Sequence, residues 1–185
     1  MKRPTKEELM AAKGERVKDV IAMDLKCLFC GINPGQYTAW IGHHFGRPGN
    51  RFWRAVYKGG FTPRLLTPFE EIELLKYGYG ITNLVQRATL TASEVSREEL
   101  EKGKDNLVKK ISKYLPKAVA VLGVTAYRNA FGQKSATIGL QKEKIEQTRV
   151  WVLPNPSGLN AHYTPADLAE LFSQLKKETE MIEFK

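Results

Sequence analysis

Long apolar runs are absent from this 185-residue chain: no stretch approaches the ~20 residues that cross a bilayer, and the charged first residues lack a secretory leader's apolar core. Cysteine is scarce, with only Cys27 and Cys30. Their spacing is C-x-x-C, but no second pair completes a zinc site, and residues three apart on a strand point to opposite faces. We read both as buried, reduced core residues of a cytoplasmic protein, which in a bacterium means the cytoplasm or nucleoid. Neither Walker nor G-x-G-x-x-G spacing occurs, which disfavours a nucleotide-binding module. Acidic residues are outnumbered, 20 against 29 Lys and Arg, leaving a net charge of +9 that favours a polyanionic partner. No block of like charge forms a tail, so a nucleic-acid footprint must be assembled by folding. Histidine is limited to three residues, and the adjacent His43 and His44 have no third ligand nearby in sequence. No metal site and no cofactor are expected.

What the chain does contain is a pair of apolar runs that each end in a stiff turn. Leu25-Lys26-Cys27-Leu28-Phe29-Cys30 reads as a buried strand and breaks into Gly31-Ile32-Asn33-Pro34-Gly35, a tight corner with Asn33 at its tip. Val150-Trp151-Val152-Leu153 likewise runs into Pro154-Asn155-Pro156-Ser157-Gly158-Leu159-Asn160. Parallel strands of one sheet place their following loops on the same edge, where open α/β sheets bind ligands. Taken singly, each turn is equally well explained by the conformational habits of Asn, Pro and Gly.

Between these runs the pattern alternates. Ala118-Val119-Ala120-Val121-Leu122 is the strongest strand, and Gly123 leads from it into a helix over 124–131. Thr5-Lys6-Glu7-Glu8 has capping-box spacing and opens a short charged helix to Gly14, so residues 1–16 read as a loosely held extension of a domain at 17–185. Asn50 caps a helix over 51–58, and Thr67-Pro68-Phe69-Glu70 opens one to about Tyr77. Ser96-Arg97-Glu98-Glu99 opens a third that runs until Pro116 intervenes, and Thr164-Pro165-Ala166-Asp167 opens the last. Residues 80–85 form a weak strand or ordered loop, 133–148 a hairpin, and 36–50 a long irregular segment whose aromatics argue for order. Helices alternating with strands, no repeat and no linker predict a single three-layer α/β/α domain with a mostly parallel central sheet.

Several separated motifs carry a family resemblance. Gly31 to Gly35, Gly42-His43-His44-Phe45, Pro48-Gly49-Asn50-Arg51-Phe52-Trp53 and Asn155-Pro156-Ser157-Gly158-Leu159 occur in an order similar to the mismatch-specific uracil and thymine DNA glycosylases. The similarity runs from about Val17 to about Leu175. It implies a uracil-DNA-glycosylase-like fold and a monomer that acts on double-stranded DNA carrying a G·U or G·T mismatch, in base excision repair. A base inside the stack is out of reach, so the nucleotide must be flipped into a pocket.

The resemblance also distributes roles. Asn33 matches the catalytic asparagine; an amide is no general base, but it holds a water in line with C1′, which suffices for an oxocarbenium-like transition state. Backbone N–H groups near Ile32 and Phe45 would stabilise the departing base, on which Phe45 stacks. Ile32, Gly35, Gln36, Thr38, His44 and Asn83 are expected in the base pocket, with Gln36, Tyr37 and Thr38 departing from both branches at the pyrimidine C5 edge. Asn83 stands where the bacterial uracil branch has lysine, and Ala161 where it has arginine. Leu159 matches the wedge that refills the stack, with Asn155, Ser157, Gly158 and Asn160 around it to meet the widowed guanine. Arg47 and Arg51 are the expected phosphate contacts; Arg51, a cation at a helix start, is unfavourable there unless it meets an anion. Two other readings stay open: a related glycosylase for other deaminated bases or single strands, and a non-catalytic binder of mismatched or abasic DNA.

Overall fold

The computed structural model describes residues 3–181. Its centre is a five-stranded sheet in the order β2-β1-β3-β5-β4, where β1 is Cys27–Gly31, β2 Tyr79–Asn83, β3 Ala118–Leu122, β4 Gly139–Ile145 and β5 Thr148–Leu153. Strands β1, β2, β3 and β5 run parallel, and β4 pairs antiparallel with β5 across the tight turn at Glu146, whose φ is +53°. The parallel strands are almost wholly buried and apolar, as sheets covered on both faces require.

Among the described residues six α-helices complete the layers: α1 Lys6–Ala11, α2 Gln36–Ile41, α3 Phe52–Lys58, α4 Arg97–Tyr114, α5 Val124–Phe131 and α6 Pro165–Met181. One sheet face meets α3, α6 and a 3-10 segment at Pro68–Tyr77; the other meets α4 and α5. Alternation along each strand sorts the side chains between these cores. Cys27 and Phe29 enter the first, Leu28 and Cys30 the second, so the two cysteines sit on opposite faces and form no disulfide. Burial pushes both thiols up, Cys30 to about 12, which leaves them unreactive.

Small residues on β3 make room for large ones from the helices. Ala118 and Ala120 face the first core, where Phe29 packs edge-on to Phe52 and Phe61 and stacks on Phe172 at 5.8 Å. Each fully buried phenyl ring contributes about 2–3 kcal/mol of apolar burial. This cluster carries α3, and α3 carries the loop before it toward the sheet's carboxyl edge.

Several local expectations shift. Residues 36–50 are not irregular throughout, because α2 occupies the first six and ends at Gly42, whose φ is +73°. The Pro68 segment is 3-10 rather than α, closed by the capping box of Thr67 and Glu70. Asn50 accepts from the Phe52 N–H at 2.9 Å, but α3 starts one residue later than expected, with Arg51 as its N-cap. The weak strand at 80–85 is a full member of the sheet, its outer edge covered by reciprocal bonds between Val20 and Ile81. Beyond α1, the Gly14 N–H bonds Ala88 O and the Ala88 N–H bonds Glu15 O, so this end of the chain is tied to the loop after β2.

Candidate active site

The loops that leave the carboxyl ends of β1, β2 and β5 converge on a cleft of about 550 Å³, a size typical of ligand sites. From the first turn it takes Ile32, Asn33 and Gly35, and from the segment that follows Thr38, His44, Phe45 and Arg47. Asn83 comes from the end of β2, and Asn155, Ser157, Leu159 and Asn160 from the loop after β5. The structure thus brings together twelve residues that the sequence had scattered over 129 positions. Gln36 is not part of the lining: the formation of α2 buries it at the helix start, where its N–H donates to Thr89 O. Gly158 lies just outside, in a smaller hollow of about 260 Å³ shared with Arg47 and Asn50, and packs so closely on Gly49 that a Cβ would stand 2.5 Å from Gly49 O.

Asn33 is held by one end of its amide. Nδ2 donates to Pro34 O at 3.1 Å, Arg87 O at 3.2 Å and Thr89 Oγ1 at 2.7 Å. Two of these acceptors are carbonyls, so the –NH₂ end must face them and the orientation of the amide is determined. Oδ1 accepts nothing among the described residues and remains open to the cleft. Thr89 passes its own hydroxyl proton to Thr91 O at 2.7 Å, and its backbone N–H bonds Pro34 O. Thr89 is absent from the sequence reading. The signal available was a threonine a few residues beyond a third strand of the same parallel sheet, invisible while that strand was read as a weak one.

Beside Asn33 the pocket floor is a chain of contacts. Phe45 is stacked on Phe52 with centroids 3.9 Å apart and 22° between planes, which fixes one ring face in the core. It adopts φ +54°, a costly conformation for a side-chain-bearing residue, and its N–H has no hydrogen-bond partner among the described residues. Gly31 lies beneath: a Cβ there would meet Asn83 Oδ1 at 2.4 Å and the Phe45 ring at 3.3 Å. Asn83 Nδ2 lies 3.4 Å from His44 Nδ1, and His44 Nε2 lies 2.9 Å from Lys18 O. Burial holds the His44 pKa below the ordinary imidazole value, opposed by the nearby Glu71 carboxylate. A neutral ring that donates from Nε2 to a carbonyl must accept at Nδ1, so it fixes Asn83 with its –NH₂ toward the ring. His44, expected in the base pocket, lines the cleft with both ring nitrogens engaged, one of them by Asn83.

The loop after β5 carries Leu159 at the cleft rim with 74% of its side chain exposed. Short internal bonds shape it: Asn155 Oδ1 accepts from the Ser157 N–H, and Asn160 Nδ2 donates to Asn155 O. Arg51, expected at a phosphate, is committed here. Its guanidinium donates to Tyr163 O at 2.5 Å, Ser157 O at 2.7 Å and Asn160 O at 2.8 Å, and its backbone N–H to Pro156 O. These carbonyl dipoles, rather than an anion, answer the charge at the helix start. Arg51→Ala is expected to lower stability by about 2 kcal/mol through three orphaned acceptors, with Arg51→Lys failing to restore it because an ammonium lacks the fork; urea denaturation checks both. Arg47 is exposed at the cleft and has no ion pair among the described residues, so its charge is free to meet an external anion.

Among the described residues no group of three His, Cys, Asp or Glu is placed to hold a metal ion, and no helix is long and apolar enough to cross a membrane. Among the described residues the cleft lining also contains no lysine and no carboxylate. It offers amides, hydroxyls and backbone groups around an aromatic floor, together with the imidazoles of His44 and His162 and the Arg47 guanidinium.

A family model described as the uracil DNA glycosylase superfamily matches residues 18–176, nearly the whole chain. The chain belongs to that superfamily. Among solved structures, a protein of Methanosarcina acetivorans described as a putative uracil DNA glycosylase is similar at 18% identity, with a TM-score of 0.58 over 88% of this chain and 98% of that one. At that identity the likeness speaks for the fold, an α/β domain around a mostly parallel sheet, which is the architecture expected from the sequence. Superfamily membership gives the protein its class, a DNA glycosylase of repair that hydrolyses N-glycosyl bonds.

Proposed function

We propose that this glycosylase is monofunctional and acts on uracil, and secondarily thymine, mispaired with guanine in duplex DNA, with Asn33 holding the attacking water. The observation that carries this reading is the one-ended tether of Asn33. Three acceptors fix Nδ2, and Oδ1 is left to accept a hydrogen bond from a water whose lone pair then faces the sugar C1′. The C1′–N1 bond breaks with its electron pair going to the base, which leaves as an anion; the water oxygen bonds C1′ and then gives up its extra proton to solvent, from which the base anion takes one, so that the products are the abasic sugar and the neutral base. The absence of lysine from the lining among the described residues disfavours a Schiff-base route.

Substrate choice follows from the pocket floor. Uracil and thymine present an N3–H donor beside the O4 acceptor, and an amide offering Oδ1 and its second N–H is complementary to that pair. Cytosine presents the reverse pattern and would need Asn83 turned over, which would place its carbonyl oxygen against the lone pair of His44 Nδ1. The unbonded N–H of Phe45 supports the negative charge that leaves with the base. Leu159 would fill the emptied stack, with Asn155, Ser157 and Asn160 near the widowed guanine and Arg47 at a phosphate.

Single-turnover base release from G·U, A·U, G·T and G·C duplexes and from single-stranded uracil tests the reading. We expect G·U to be fastest, G·T slower and G·C inert. A preference for hypoxanthine or xanthine would overturn the substrate. Salt-sensitive binding without base release from any of these would leave only a lesion binder.

A further inference from the structure

The cleft has two walls of different construction. One is built from residues 47–51 and the loop that carries Leu159, tied together by Arg51. The other is built from the Asn33 turn and residues 87–93, and its most exposed apolar side chain is Leu90, 65% exposed and part of the cleft lining. Leu90 is not on a slack loop. On one side of it, Thr89 is bonded through its N–H to Pro34 O and through its carbonyl to the Gln36 N–H, and Ala88 is bonded in both directions to Gly14 and Glu15. On the other, Thr91 caps a 3-10 turn over Ala92–Glu94 with a complete capping box, and Lys13 pairs with Glu94 at 3.4 Å. The chain around Leu90 is thus bonded at every neighbouring position, and the leucine is held out over the rim with nothing covering it.

A leucine kept in water on a rigid frame forgoes burial, and at the mouth of a site for extruded nucleotides its partner is nucleic acid. It carries no charge and no donor, so it has nothing for a phosphate. We propose that Leu90 is a second apolar prong, which packs against the sugar and base next to the flipped nucleotide on the lesion strand, across the mouth from Leu159. This rests on the base-flipping reading of the cleft. The two leucines would hold the strand from opposite walls, one replacing the extruded base and the other bracing its neighbour, so that the flipped sugar presents C1′ to Asn33.

The test uses a duplex with a tetrahydrofuran abasic analogue opposite guanine, which binds without chemistry, and fluorescence anisotropy across a salt series. Leu90→Ala is expected to weaken binding about tenfold at every salt concentration with the slope of log K against log salt unchanged, while Leu90→Met stays within about twofold. With 2-aminopurine placed on one or the other side of the analogue, Leu90→Ala should abolish the fluorescence change on one side only. Parent-like affinity and an unaltered 2-aminopurine pattern in Leu90→Ala would overturn the prong even if the parent releases uracil normally. If the parent releases no base yet binds the duplex in a Leu90-dependent way, the catalytic reading falls and the prong stands. If the parent does not bind the duplex, both fall.

Discussion

Replacing Asn33 with alanine is expected to slow single-turnover release of uracil from a G·U duplex about a thousandfold, a barrier increase of about 4 kcal/mol, while duplex affinity changes by no more than about threefold. The split follows from position. Asn33 lies on the cleft wall with one amide end spent on Pro34 O, Arg87 O and Thr89 Oγ1, so its loss removes an acceptor for water but none of the residues that would grip DNA. Asn33→Asp should be no better. A carboxylate cannot donate to two carbonyls, so they would repel it from the position that the amide occupies. A rate for either variant within about tenfold of the parent would remove Asn33 from the chemistry and leave the superfamily assignment untouched. The measurement needs enzyme in excess, because under multiple turnover a slow release of abasic product would mask the chemical step.

Much of this arrangement was legible in the sequence because it rests on local rules. A buried apolar run ending in glycine and proline fixes where a strand stops, and β1 and β5 stop where Gly31 and Pro154 stand. Parallel pairing then puts their loops on one edge without further information. Capping boxes at Thr5, Ser96 and Thr67 marked three helix starts correctly, although the third is 3-10. What was not legible depends on contacts distant in sequence. Nothing near Arg51 announces that its guanidinium will be used by carbonyls 106 to 112 residues away. Nor does any local pattern near His44 reveal that Lys18 O will claim its Nε2. Thr89 escaped notice for the same reason: its importance lies in a bond to Asn33, 56 residues earlier. Residues 182–185 lie outside the described structure, so the charged end expected for the last helix is not placed beyond Met181.

Gly31→Ala is expected to lower kcat/KM on a G·U duplex about a hundredfold, with a stability loss of only about 1–2 kcal/mol from overpacking. No catalytic group is touched. The added methyl would stand 2.4 Å from Asn83 Oδ1 and 3.3 Å from the Phe45 ring, and Phe45 is backed by Phe52 at 3.9 Å and cannot retreat. Asn83 must move instead, and its hydrogen bond to the buried His44 determines what that costs. Displacing the amide removes the pair of groups that would read N3–H and O4, which should raise KM and slow the chemical step together. A double-mutant cycle separates this route from general damage. If Gly31→Ala acts by displacing Asn83, the Gly31→Ala/Asn83→Ala double variant should be no slower than the worse single, because alanine at 83 removes the atom that the new methyl strikes. Fully additive losses would mean that the methyl acts elsewhere, through Phe45 or the strand, and not by displacing Asn83.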